Sequence, residues 1–217
     1  MIELDGYRQV EGPEAHALAD AGGELMDLRF VDDAIGALLI TWPAETVVGP
    51  DTTQARALWV AAVVWYARCF TGGRRTSRVA AGLVDALSDE ARATHKYVLA
   101  LRNRHMAHSI NVFEQVIAGV RLGPAPDYLV EGLEPLGLMM VLPTRERAVG
   151  VQLLTRELMA LMAPKLQELG RTLNGVLTAM NPGQRGRLKP VMISPPLTTT
   201  DPSVARKQRP IKRPSHY

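Results

Sequence analysis

The nine residues Leu101 to Ser109, LRNRHMAHS, bring Arg102, Arg104, His105 and His108 into two helical turns. Histidine exchanges a proton near neutral pH. Arginine carries a permanent charge on a planar donor fork that fits a phosphate. Arg102 and His108 therefore combine an anion clamp with a proton carrier, and Asn103 is placed to orient either one. Arg104 lies four residues before His108 on nearly the same face, so it and His105 are candidates for assistance.

Ideal helical geometry limits this arrangement. Val98, Leu101, His105 and His108 fall on one stripe at three- and four-residue steps, a core-facing seam. Arg102 then lies about 120° round the helix from His108 and roughly 9 Å along it. The two converge only if the helix bends or ends there, or if a second copy supplies one of them. His95 falls within about 20° of Arg102 in projection and could line the same cleft. The same residues also have a structural reading. A histidine on an apolar stripe is commonly a core residue satisfied by a hydrogen bond, and an arginine near a helix C-terminus often serves the last carbonyls.

The elements that must position these residues are mostly helical. Gly12-Pro13 marks a helix start, and Leu25, Leu28, Val31, Ile35, Leu38 and Leu39 give helical spacing from Glu24 to Ile40. Asp51-Thr52-Thr53-Gln54 resembles a capping box opening a second helix. Its body, ending in WYARCF, is apolar nearly all round, which predicts a place at the centre of a bundle, with Gly72-Gly73 as its stop. A short third helix is expected over Val79 to Leu87. Ser88, followed by Asp89 and Glu90, caps a fourth that runs to about Ser109 and carries the chemistry. VFEQVIAGVRL and GLMMVL, joined by a turn-rich loop, predict an antiparallel hairpin near 112–142. Thr144 opens a last helix to about Met180, with Pro164 expected to kink or split it. The fold class is thus α+β and mainly α: a helical bundle over 1–180 with an inserted hairpin. Seven prolines and few apolar residues predict a disordered basic tail over 181–217.

Charge divides the chain in the same way. The net charge is +3, but the segment from Asn181 holds 8 of the 25 Lys and Arg and only 1 of the 22 acids, so the body is net acidic. Within the body, residues 1–49 are acidic and 50–110 basic, which either attracts a polyanion or pairs internally. The loop Gly72-Gly73-Arg74-Arg75-Thr76-Ser77 could hold a phosphate through its backbone N–H groups, with Arg74 and Arg75 beside them; its plainer reading is a helix stop and solvated turn. The single cysteine, Cys69, excludes a disulfide scaffold and a multi-cysteine zinc site and reads as a small buried hydrophobe. His105 and His108 stand three apart, yet no third helical ligand fits, so no metal or other cofactor is expected. The longest apolar run, Leu58 to Ala67, falls short of the roughly 20 residues of a membrane span. The N-terminus lacks the basic and apolar regions of an export signal, and a cytoplasmic location is expected.

Arg102-Asn103, four intervening residues and His108 resemble the signature of the HEPN superfamily of helical domains: an arginine, a polar residue, and a histidine after four to six intervening residues. The WYARCF stretch, the LRNRHMAHS run, and the hairpin and helix that follow extend the likeness over about residues 20–180. The resemblance implies a helical bundle, a homodimer with two motifs facing one cleft, and a metal-independent endoribonuclease of toxin or phage-defence type. By the same analogy Arg102, His108 and Asn103 are its catalytic residues, RNA its substrate, and a cognate antitoxin or regulatory protein its further partner. The alternative within the family is a non-catalytic module that binds RNA or protein.

Overall fold

The computed structural model describes residues 2–44, 46, 50, 52–71, 75, 78–103, 114–139 and 142–193. It is mainly helical, with two small antiparallel sheets of two strands each. The chain divides into two compact units: Gly12–Thr178, and Met1–Glu11 together with Ala179–Tyr217.

The larger unit begins with α1 (Pro13–Ile40), one helix from the Gly12-Pro13 start to the end of the apolar stripe. Thr52 caps α2 (Thr53–Arg68), its side chain accepting from the Ala55 N–H at 3.1 Å. The short third helix is a single turn, α3 (Val79–Gly82), continued by a 3-10 turn over Val84–Ala86. Ser88 caps α4 (Asp89–Leu101) through the Ala91 N–H, as its hydroxyl and following acids predict. The hairpin is β2 (Glu114–Leu122) against β3 (Val130–Met139), and α5 (Arg145–Ala179) closes the unit.

Side-chain contacts fix how the helices lie. Cys69 Sγ reaches the Glu24 carbonyl, and Phe30 stacks on Trp65, so α1 and α2 are antiparallel. Arg156 pairs with Asp32 at 2.8 Å, while Gln152 lies over Gly36, so α5 runs antiparallel to α1. It also runs antiparallel to α4. Glu157 accepts from the Ser88 N–H and hydroxyl, Thr94 touches Gly150, and Arg147 covers the Tyr97 ring. Leu28, Val31, Ile35 and Leu38 of α1, Trp59, Val63 and Tyr66 of α2, Val98 of α4, and Leu154, Leu158 and Met162 of α5 fill the core between them. Each such side chain contributes about 1.5–3 kcal/mol of burial.

Three expectations are corrected. The split expected at Pro164 does not occur: α5 continues for 15 residues beyond it. Proline removes the hydrogen bond to the carbonyl four residues back; that residue, Ala160, and Pro164 are both exposed, so water can take the bond's place. Second, α2 is not covered all round: Ala57, Val64 and Arg68 are exposed. Third, regular structure continues past Asn181. The smaller unit holds α6 (Pro182–Gly186), opened by a reciprocal capping box between Asn181 and Gln184. It also holds β4 (Pro190–Ile193), antiparallel to β1 (Ile2–Arg8) with Ile2 opposite Ile193 and Leu4 opposite Val191. Gly6, at φ +74°, occupies the irregularity between Leu4 and Arg8. The rest of the expected tail, 194–217, lies outside the described residues, as does the continuation of α4 over 104–109.

Candidate site at the end of helix α4

Arg102 is the C-cap of α4. Its N–H donates to the Val98 and Leu99 carbonyls, and the backbone widens to a π turn at residues 102–103. Such widened turns recur at functional positions. Its guanidinium donates to Asn103 Oδ1 at 3.0 Å, and Asn103 is exposed. No carboxylate within the described residues neutralises Arg102. The antiparallel contacts of Thr94 with Gly150 and Arg147 with Tyr97 bring this end of α4 beside the first turn of α5. That turn carries Arg145 and Arg147 with Glu146 between them, a net positive turn at the helix end whose dipole is already positive. Arg145 donates to the Trp42 carbonyl and Arg147 lies over Tyr97, so both are held in place with their charge intact. The result is a local concentration of positive charge suited to an anion. Arg104, His105 and His108 lie outside the described residues, as does Arg74.

His95 does not line a cleft with Arg102. It is 8% exposed, its Nδ1 stands 2.8 Å from the Tyr66 hydroxyl, and its ring meets Phe70 edge-on at 4.6 Å. Burial holds the Tyr66 hydroxyl well above its ordinary titration range, so it stays protonated, and the His95 tautomer sets which of the two donates. Burial, with Lys96 nearby, lowers the His95 pKa and favours the neutral ring. This is the satisfied core histidine of the structural reading.

Arg75 is likewise not open to a phosphate. Its guanidinium lies 2.7 Å from Asp27 Oδ2, with side-chain exposures of 22% for Arg75 and 4% for Asp27; Arg68 approaches the same oxygen at 3.7 Å. A buried carboxylate without a cation is strongly unfavourable, so Asp27 takes Arg75 from the loop. One turn earlier on α1, the fully buried Glu24 accepts from the Ala80 N–H at 2.9 Å, while its Oε1 has no hydrogen-bond partner among the described residues. Burial raises its pKa. Glu24 and Asp27 were missed by the sequence reading, although a helical wheel sets them on the side of α1 that buries Leu28 and Val31. Beside them Cys69 is buried, its thiol pushed up to about 12, chiefly by burial, and so inert as a nucleophile.

Among the described residues no three His, Cys, Asp or Glu side chains could together hold a metal ion, and no helix is long and apolar enough to cross a membrane. Searches of protein-family models, curated proteins and solved structures find no match to this chain.

Proposed function

We propose that the chain is a HEPN-like, metal-independent endoribonuclease acting as a homodimer in a toxin or phage-defence setting. Arg102 binds the phosphate and stabilises charge on the phosphorane, His108 exchanges the proton, and Asn103 orients them. The observation that carries this reading is the setting of Arg102: an arginine with no carboxylate partner among the described residues, on a widened turn, at the end of α4 that lies beside the first turn of α5 with its Arg145, Glu146 and Arg147. The alternative, a non-catalytic module binding RNA or protein, draws its support from His95, a candidate with a purely internal role.

Cleavage of a mixed RNA pool in excess EDTA tests the proposal, using wild type, Arg102→Ala and His108→Ala at matched thermal stability. Activity in wild type that falls at least about 100-fold in each variant is the expected outcome, the scale of a lost acid–base or charge-stabilising group. An RNA-binding but inactive wild type would favour the module.

A further inference from the structure

The hairpin of β2 and β3 presents two unlike faces. Opposed residues of an antiparallel pair share a face, and successive residues alternate. Val120 stands opposite Leu133 and Leu122 opposite Val130, so these four lie on one face, and each is at least 50% exposed. Arg121 opposite Gly132 and Gly119 opposite Glu134 lie on the other. Among the described residues, the hairpin's hydrogen bonds and its ion pair, Arg121 with Glu131 at 4.0 Å, stay within it, and none of its residues enters the core. An isolated two-stranded ribbon is marginal in water, and a third strand or a packed cover is what stabilises it. An uncovered apolar face rimmed by charge marks a contact surface.

Two features indicate what completes the ribbon. The first is a difference between its outer edges. β3 contains Pro135, which has no N–H to offer, and within a sheet proline sits with that gap on the outer side. β2 contains no proline from Glu114 to Leu122, so its outer edge keeps an unbroken row of donors and acceptors. The second feature is a gap in the charged face. Arg121 crosses the ribbon over Gly132, where a Cβ would stand 3.3 Å from its guanidinium. One row further from the turn the arrangement is inverted: Glu134 faces Gly119, and no side chain at that position of β2 separates the carboxylate from the outer edge. Glu134 is exposed and has no cationic partner among the described residues.

We infer that β2 accepts an extended segment of a partner protein as a third strand, one in which apolar residues alternate with lysine or arginine. Its apolar side chains lie beside Val120 and Leu122 and widen the apolar face. Its basic side chain passes over Gly119 to Glu134, as Arg121 passes over Gly132. An added strand stands two strand spacings from β3, about 9.5 Å, within the combined reach of a lysine or arginine and a glutamate. Main-chain hydrogen bonds supply the affinity of such a contact, and the alternating side chains its specificity. The charge of the ribbon selects the sign: Arg121 stands against Asp127, Glu131 and Glu134, which favours a basic segment and disfavours nucleic acid or an anionic lipid surface.

The inference goes beyond the ribonuclease reading and does not rest on it, since Arg102 and His108 take no part. Its test is peptide binding to the full chain. The probe is a fluorescent peptide about as long as β2 that alternates valine with lysine, compared with a scrambled peptide of the same composition. The alternating peptide should bind at least about tenfold more tightly than the scrambled one and should slow amide exchange over Gly119–Leu122. Glu134→Lys turns the cross-strand attraction into repulsion, so it should weaken binding about tenfold and favour a peptide alternating valine with glutamate. Gly119→Leu closes the crossing and should weaken the lysine peptide as well. Both positions lie outside the core, so unchanged thermal stability certifies the fold. Equal binding of the two peptides, no binding at about 1 mM, or indifference to Glu134→Lys overturns the inference. So does self-association of the wild type that Val120→Asp abolishes, which assigns the face to a second copy, or binding to phosphatidylcholine vesicles that Leu133→Asp abolishes, which assigns it to lipid.

Discussion

Arg75 and Arg102 look alike in the sequence, each a basic residue near a helix end with phosphate chemistry in prospect, yet the structure treats them oppositely. Arg75 is held by Asp27, an acid that cannot reach water. Among the described residues, Arg102 reaches the neutral amide beside it and no carboxylate. An arginine is available to a ligand when no buried anion has a prior claim on it, and that claim is settled by residues far away in sequence. The contrast extends to the histidines: His95 is fixed by Tyr66 and Phe70, contributed by an element that precedes it by about 25 residues.

The comparison can be broken at several points. Asp27→Ala should lower unfolding free energy by about 3 kcal/mol in urea, because it strips the partner from Arg75; the partial exposure of both arginines places it at the low end for a buried pair. A loss under 1 kcal/mol would mean that the pair does not anchor the loop. His95→Ala should cost about 2–3 kcal/mol through lost packing and an unpaired Tyr66 hydroxyl. Because the folded His95 pKa is lowered, the unfolded chain binds the proton more readily. Stability should therefore fall as pH drops through about 6.5, and that dependence should be reduced in His95→Gln. Glu24 works in the opposite sense. Its folded pKa is raised, so its contribution is lost as pH rises from about 4.5, and Glu24→Gln should flatten that part of the profile. The smallest effect belongs to Arg102→Ala, which should change stability by no more than about 0.5 kcal/mol. A larger loss would place Arg102 with Arg75 as a structural cation.

Local signals were legible where the physics is local. Ser88 with its two acids fixed the start of α4, Pro13 that of α1, and alternating β-branched residues the hairpin, observed over Glu114–Met139 against an expected 112–142. The strand Pro190–Ile193 was hidden because its four residues gain order only from Ile2–Arg8 at the other end of the chain. Projection round an ideal helix grouped His95 with Arg102; the π turn at 102–103 breaks that periodicity, and Tyr66 and Phe70 claim His95 from outside the helix. Within the candidate site, the motif identified Arg102 and Asn103, but the first turn of α5 beside this end of α4 depended on packing more than 40 residues away.

The placement of the three tryptophans has an optical consequence. Trp42 and Trp59 lie in the core, where emission should be blue-shifted and insensitive to added quencher, while Trp65 lies half-buried under Phe30 and Arg68 at the open face of α1 and α2. The chain thus carries its own reporter pair. Acrylamide should reach one indole and spare two, and anything that settles on that face should dim the accessible signal without touching the other.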